Sequence, residues 1–330
     1  MNLSSKWLQR IWTWFLSKGW LFRRLGEAIL FLWIISLVSF GIVQVAPGDA
    51  ALSLLRIDTV AVTVEQVEAL RQEMGLNDPI YQKYFHYMNN LLHLDLGESV
   101  MTGRSVISEL AHAFPATFLL AGTSLGLTVV LVAIFGSLAA RYAESWVDKF
   151  STGFCLIGAS IPTFWLGLLL IDLFAVRLHL LPAVGMDSGK GLILPALTLA
   201  IAIAPPFVKI FRNSLIECAR QEFIWAARSR GISEKRIFTR HILKGSLIPV
   251  VTILGVSLGS LLGGSVVVEV IFGIPGVGKL AIEAITRRDY AIVQGFVLAI
   301  GILIFLINLA VDLSYRYLNP AISLKEAERR

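Results

Sequence analysis

A chain of 330 residues with 56% hydrophobic and 16% charged residues, and a mean hydropathy of +0.73, carries more apolar surface than one soluble core can hide. The net charge of +6 does not point to nucleic acid, because 20 of the 29 Lys and Arg lie before the first apolar span, after the last, or on loops and span ends of a single side. Two cysteines, Cys155 in an apolar run and Cys218 in a basic loop, supply neither a disulfide framework nor a thiolate metal cage.

Residues 1–24 interleave Trp7, Trp12, Trp14 and Trp20 with Lys6, Arg10, Lys18, Arg23 and Arg24, the composition of an amphipathic helix lying in the headgroup layer. A cleaved signal peptide is the rival reading, but the apolar part is too long and no small-x-small site follows it. The first transmembrane helix is expected at 25–45. Residues 46–112 then form one sizeable external insert. Thr63 and Gln66 make a capping box, Val64 to Met74 can be helical, and Gly75 is placed to end that helix. Asp78-Pro79 starts a second helix with Ile80, Tyr84, Met88 and Leu91 on one stripe. Too short for an enzyme, the insert either packs on the outer mouth of the bundle or touches an extracytoplasmic binding protein.

Residues 113–313 form a core with five further spans. The six spans lie near Leu25–Val45, Phe114–Ala140, Phe150–Val176, Leu192–Phe211, Leu247–Val270 and Ala291–Val311. At about 1.5 Å per residue each covers the roughly 30 Å hydrocarbon core. The basic segments then fall on the cytoplasmic side, which puts both the N-terminus and the 314–330 tail inside. Pro195, Pro205 and Pro206 are expected to kink or break the fourth span. Gly255, Gly259, Gly263 and Gly264 give the fifth a small-residue face, for packing within the bundle or against a second membrane chain.

Gly273-Ile274-Pro275-Gly276-Val277-Gly278-Lys279 fits the G-x-x-x-x-G-K part of a phosphate loop. Leu280 follows it in place of the magnesium-binding hydroxyl, and a span precedes it where a strand is required. It reads as a glycine-permitted turn or a re-entrant segment. No H-E-x-x-H or G-x-S-x-G occurs, and His86, His93, His112, His179 and His241 are scattered over both sides, so the chain is not an enzyme by itself. Charges in or near spans are expensive. Asp172 lies in the third span, Glu269 near the outer end of the fifth, and Asp312 near the inner end of the sixth, beside Arg316. Glu269, with Asp172 as a second candidate, is read as a pathway or gate residue, or else as a structural hydrogen bond or ion pair.

The loop 212–246 is basic and helix-patterned. Asn213 to Arg230 is expected to form one helix, with Ala226 and Ala227 as a flat patch beside bulky Trp225. Gly231 permits the left-handed residue that ends it, Ile232 folds back on the last turn, and Ser233 caps a second helix that begins at Glu234. A helix, a sharp turn and another helix projecting below the membrane suit a groove on a soluble partner. A channel or ion-coupled carrier would need no such partner, and a membrane-embedded enzyme would need a catalytic cluster.

The Ala226-Ala227-x-x-x-Gly231 pattern resembles the E-A-A-x-x-x-G loop of permease subunits of bacterial ATP-binding-cassette importers, although Trp225 stands at the family's glutamate position and Glu222 lies three residues earlier. That departure, and the spacing from Gly231 to Pro249, resemble the dipeptide, oligopeptide and nickel branch. So do Ala46-Pro47-Gly48-Asp49, Met74-Gly75-Leu76, Leu94-Asp95-Leu96-Gly97, Pro115-Ala116-Thr117, Ile193-Leu194-Pro195, Gly263 through Glu269, Arg288-Asp289-Tyr290 and Asn319-Pro320. In this order they resemble the first of two permeases in such a system. The segments around His93, Pro162 and His241 look more like nickel permeases, with dipeptide or oligopeptide permeases as the alternative.

The resemblance implies an all-α, six-span permease of the type I importer fold in the inner membrane. It implies a second permease subunit, two cytoplasmic ATPases that bind ATP and magnesium, and an external substrate-binding protein, with no cofactor in this chain. Glu222, Trp225, Ala226, Ala227 and Gly231 are then the residues of ATPase coupling, and nickel or a nickel chelate the expected cargo.

Overall fold

The computed structural model describes residues 18–45, 78–186 and 189–318, all of which lie in helices, turns or short connections. Helix α1 is Lys18–Val45, α2 is Ile80–Leu92, and α3 is Val106–Arg141 with a π-helical turn at Val132–Gly136. Next come α4, Trp146–Ser160, and α5, Thr163–Arg177. Then α6 is Ile193–Ala219, α7 Glu222–Ser229, α8 Glu234–Ile237, α9 Leu243–Ile271, α10 Val277–Arg287 and α11 Tyr290–Leu318.

Helices α1, α3, α6 and α11 are long and apolar enough to cross a bilayer, and α4 with α5 makes a bent pair that passes the same test. The fifth expected span falls on the 29 residues of α9. The third span is not one straight helix: its two arms meet at 106°. Pro162 has no N–H to give to the ladder, and it forces Ile161 into extended backbone (φ −81°, ψ 125°). The fourth span departs the other way. Pro205 and Pro206 lie inside α6, which continues through both. Adjacent prolines concentrate the lost donors in one turn, and burial of Ala204, Pro205, Phe207 and Val208 around it carries the helix across.

Two compact units emerge, 1–109 with 284–305, and 110–283 with 306–330. In the first, α1 packs along the first half of α11, from Ser39 Oγ, which donates to the Gln294 carbonyl (3.2 Å), to Phe31 stacked on Phe305 (5.4 Å) near the middle of that helix. Helix α2 packs on α1 through Tyr84, whose hydroxyl is 2.9 Å from Ser36 Oγ, and through Tyr84 and Tyr87 against Phe40. The expected stripe holds for Tyr84, Met88 and Leu91, but Ile80 is 63% exposed and Tyr87 replaces it. The first insert helix, residues 1–17 and the 319–330 tail lie outside the described residues, as does the Asp312 side chain.

The second unit is built on α6, which buries Leu199, Ala200, Ala204, Phe207, Val208, Phe211 and Leu215. An apolar cluster continues from Phe207, Phe211 and Leu215 to Ile224, Ala227, Ile237 and Ile242, so the loop beyond α6 folds back on the helix it leaves.

Candidate functional site

The loop 212–246 is two short helices set at a glycine turn. The expected single helix from Asn213 to Arg230 is interrupted: α6 ends at Ala219, Gln221 is extended (φ −67°, ψ 145°), and α7 restarts at Glu222. The reason is phase. On an unbroken helix Ile224, nine residues after Leu215, would sit about 180° away from it; the break lets Ile224 (0% exposed) and Ala227 (8%) face the same cluster.

At the other end of α7, Gly231 is left-handed (φ +75°). Its N–H donates to the Arg228 carbonyl (2.9 Å) and the Ile232 N–H to the Ala227 carbonyl (3.2 Å), the pair of bonds that defines a Schellman turn. Nothing lies within 4 Å of where a Cβ would stand, so backbone conformation, and not crowding, selects glycine. Ser233 occupies the N-cap position of α8 in extended backbone, but its side chain makes no cap bond; the Arg236 and Ile237 N–H groups go to its carbonyl.

The helix α7 therefore has two faces. Ile224 and Ala227 hold it to the bundle, while Glu222, Phe223, Trp225 and Ala226 are exposed. The flat Ala226-Ala227 patch expected from the sequence is split, since Ala227 is buried against the cluster and Ala226 is exposed. Trp225 is 63% exposed, with the Arg228 guanidinium 5.5 Å from its ring centre. Arg228 Nε also donates to Glu234 Oε1 (2.7 Å), across the turn. That hydrogen bond holds the Glu234 carboxyl below the usual carboxylate range and raises the Arg228 guanidinium. A carboxyl depressed in the folded state contributes stability above its ordinary value and loses it as the pH falls through the lowered one; at this exposed pair the gain is small.

Glu269 is fully buried and saturated. Its Oε1 accepts from Thr117 Oγ1 (2.8 Å) and Ser265 Oγ (3.1 Å), and its Oε2 from the N–H groups of Gly278 (2.8 Å) and Lys279 (3.1 Å). Thr117 Oγ1 in turn accepts from the Val277 N–H (2.9 Å). The G-x-x-x-x-G-K segment is thus a turn at Gly273 (φ +65°) leading into α10, whose first amides bind an anion, and the anion is this chain's own carboxylate. A Cβ on Gly276 would lie 2.4 Å from that carboxyl carbon, which accounts for the glycine. The helix α10 itself was not foreseen in the sequence.

Asp172 does not join Glu269. It lies in the π-helical turn Ile171–Arg177, half exposed, and accepts from Arg177 Nε (2.8 Å), a partner five residues on that this wider turn brings alongside. Among the described residues no three His, Cys, Asp or Glu side chains gather closely enough to hold a metal ion.

Two carboxylates escaped sequence reasoning. Asp289 is buried, accepts from Ser99 Oγ (2.5 Å) and caps α11 through the Ile292 N–H (3.3 Å). Asp148 receives Arg212 Nε at Oδ1 (2.7 Å) and Arg212 Nη2 at Oδ2 (2.5 Å). The spacing Ser145-x-x-Asp148 is a helix-start signal that marks the place; nothing local marks a partner 64 residues away.

Known proteins agree with this architecture. The model of the family described as "Binding-protein-dependent transport system inner membrane component" matches residues 132–324, and that of the N-terminal part of such membrane components matches residues 18–121. The glutathione transport system permease protein GsiC of Escherichia coli (strain K12) is 38% identical over 307 residues, which cover 93% of this chain and 99% of that one. The GsiC of Shigella flexneri serotype 5b is 37% identical over the same length. Among solved structures, an inward-facing MetNI methionine ABC transporter chain superposes with a TM-score of 0.54 at 20% identity, covering 64% of this chain and 96% of its own. A chain of an amino acid ABC transporter with histidines gives 0.52 at 15% identity and covers 64% and 94%. These two share the fold. With its broken third span, its helix-turn-helix beyond α6 and family matches along most of its length, the chain belongs to the binding-protein-dependent inner membrane components, the permease subunits of bacterial ATP-binding-cassette importers.

Proposed function

We propose that this chain is the first of two permease subunits of a short-peptide importer, and that α7 is the helix through which ATP hydrolysis in partner chains reaches it. Its partners are a second permease, two ATPases that hold ATP and magnesium, and an external binding protein; both termini and the loop 212–246 lie on the cytoplasmic side. Glu222, Trp225 and Ala226 meet the ATPase, while Ala227 and Gly231 fix the angle at which they are offered. The observation that carries the coupling role is the two-sided α7, anchored by Ile224 and Ala227 and open along Glu222, Phe223, Trp225 and Ala226. Movement of α7 rocks the spans it is packed against, giving alternating access.

The cargo is a short peptide of the size of glutathione. What supports this over nickel is identity of 37–38% over 307 residues with permeases named for glutathione transport. Thermal unfolding of the cognate binding protein tests it, with glutathione, a dipeptide, Ni2+ and a nickel chelate added separately. A rise in unfolding temperature with a peptide is expected. A response to Ni2+ or its chelate, with none to peptide, would return the reading to nickel.

A further inference from the structure

The buried carboxylate Asp148 and its partly buried partner Arg212 have no part in the site described so far. Asp148 stands in the first turn of α4 and is 6% exposed. Arg212 lies on the last part of α6, two turns before that helix ends at Ala219. They meet fork to fork, Nε on Oδ1 and Nη2 on Oδ2. The remaining groups are held as well: Asp148 Oδ2 accepts the Glu144 N–H (2.9 Å), and Arg212 Nη1 donates to Asn213 Oδ1 (3.0 Å). Glu144 is itself left-handed (φ +64°), and Ser145 Oγ accepts the Val147 N–H, so the turn that presents Asp148 is fixed on both sides.

A buried ion pair is weak evidence for stability, since a well-packed apolar pair does as well in its place. What it does supply is geometry. Arginine and carboxylate in a bidentate fork fix distance and angle together, whereas apolar contacts allow side chains to slide. Beside it, Ser151 Oγ of α4 donates to the Phe135 carbonyl of α3 (3.2 Å), and the rest is apolar packing of the sliding kind: Phe135 stacked on Phe154 (4.6 Å), and Cys155 against the cluster of Phe207 and Phe211. The coupling loop is bonded to α6 through that same cluster, and α4 is the first arm of the span bent by 106°.

We infer that the Arg212–Asp148 fork is the rigid link by which displacement of the coupling loop, carried along the end of α6, reaches α4 and the broken third span. This rests on the coupling role proposed for α7. Asp148 and Arg212 are positioning residues: they touch neither cargo nor ATPase.

Hydrogen exchange on the whole complex, with both permeases and both ATPases, tests this without knowledge of the cargo. Peptides covering Glu222–Ile237 and Trp146–Ser160 are compared between the nucleotide-free and the ATP–vanadate-trapped states. In the unaltered complex both segments change on trapping. In Arg212→Lys, which keeps the charge and loses the fork, the change at Glu222–Ile237 persists while that at Trp146–Ser160 falls about fivefold or more, the low end of typical coupling between sites. The double exchange Asp148→Arg with Arg212→Asp restores it. An undiminished response at Trp146–Ser160 in both Arg212→Lys and Asp148→Asn overturns the inference. So does equal loss of protection in both segments before nucleotide is added, which makes the pair structural only. Absence of any nucleotide response at Glu222–Ile237 in the unaltered complex refutes the coupling role itself, a separate outcome.

Discussion

Glu269→Ala will destabilise the chain by about 3–5 kcal/mol, seen as a lowered midpoint of detergent or thermal unfolding in the purified permease. One carboxylate takes four donors. The hydroxyls of Thr117 and Ser265 can turn to carbonyls of their own helices, but the Gly278 and Lys279 amides stand at the start of α10 with no intrahelical acceptor. Alanine strands them and removes the negative charge that the helix N-terminus favours. Glu269→Gln is the informative companion. Its oxygen can face the two amides while its NH2 group donates to the hydroxyl oxygens, so the cost falls to about 1–2 kcal/mol. A latch role therefore predicts that Gln retains transport and most of the stability while Ala loses both. A gate role predicts the reverse for Gln, with transport abolished in a fully stable protein.

Gly231→Pro will separate the permease from its ATPases. Proline fixes φ near −65°, whereas position 231 sits at +75°, and it deletes the N–H that bonds to the Arg228 carbonyl. It also disfavours the helical geometry of Arg230 before it (φ −82°, ψ 4°). With the turn opened, Ile224 and Ile237 cannot both stay in the cluster they now share. The local cost is about 3 kcal/mol or more, spent where no span is involved. The expected result is a permease that inserts and purifies but brings down at least tenfold less ATPase, each tenfold corresponding to about 1.4 kcal/mol. Gly231→Ala costs about 1 kcal/mol, because the site is open and only the left-handed backbone resists, and ATPase recovery should stay near normal. Equal loss in both variants would mean that crowding by the partner, not the turn, selects glycine.

Sequence patterns with short range carried most of the fold. The spans follow from apolar runs, and the turn at Gly231 and the helix start after Pro79 follow from local backbone chemistry. What failed depended on partners distant in sequence or on helix phase. Ala226 and Ala227 read as one flat patch until α7 is broken away from α6, and only the burial of Leu215 and Phe211 explains why the break must occur. Pro162 was visible, but a proline in an apolar run reads equally well as one that a helix continues through, as α6 does at Pro205, and as the 106° corner that the third span makes. Glu269 shows the limit at the site: its expense in a span is legible, but its use is not, because its donors come from Thr117 and from a loop that imitates a phosphate binder.

The coupling face can be tested at a single position. With a photo-crosslinking residue in place of Trp225, the assembled complex is irradiated and the adduct identified by mass spectrometry. A covalent adduct to the ATPase subunit is the predicted result; adducts confined to lipid or to the second permease, with the ATPase present and unlabelled, would contradict it.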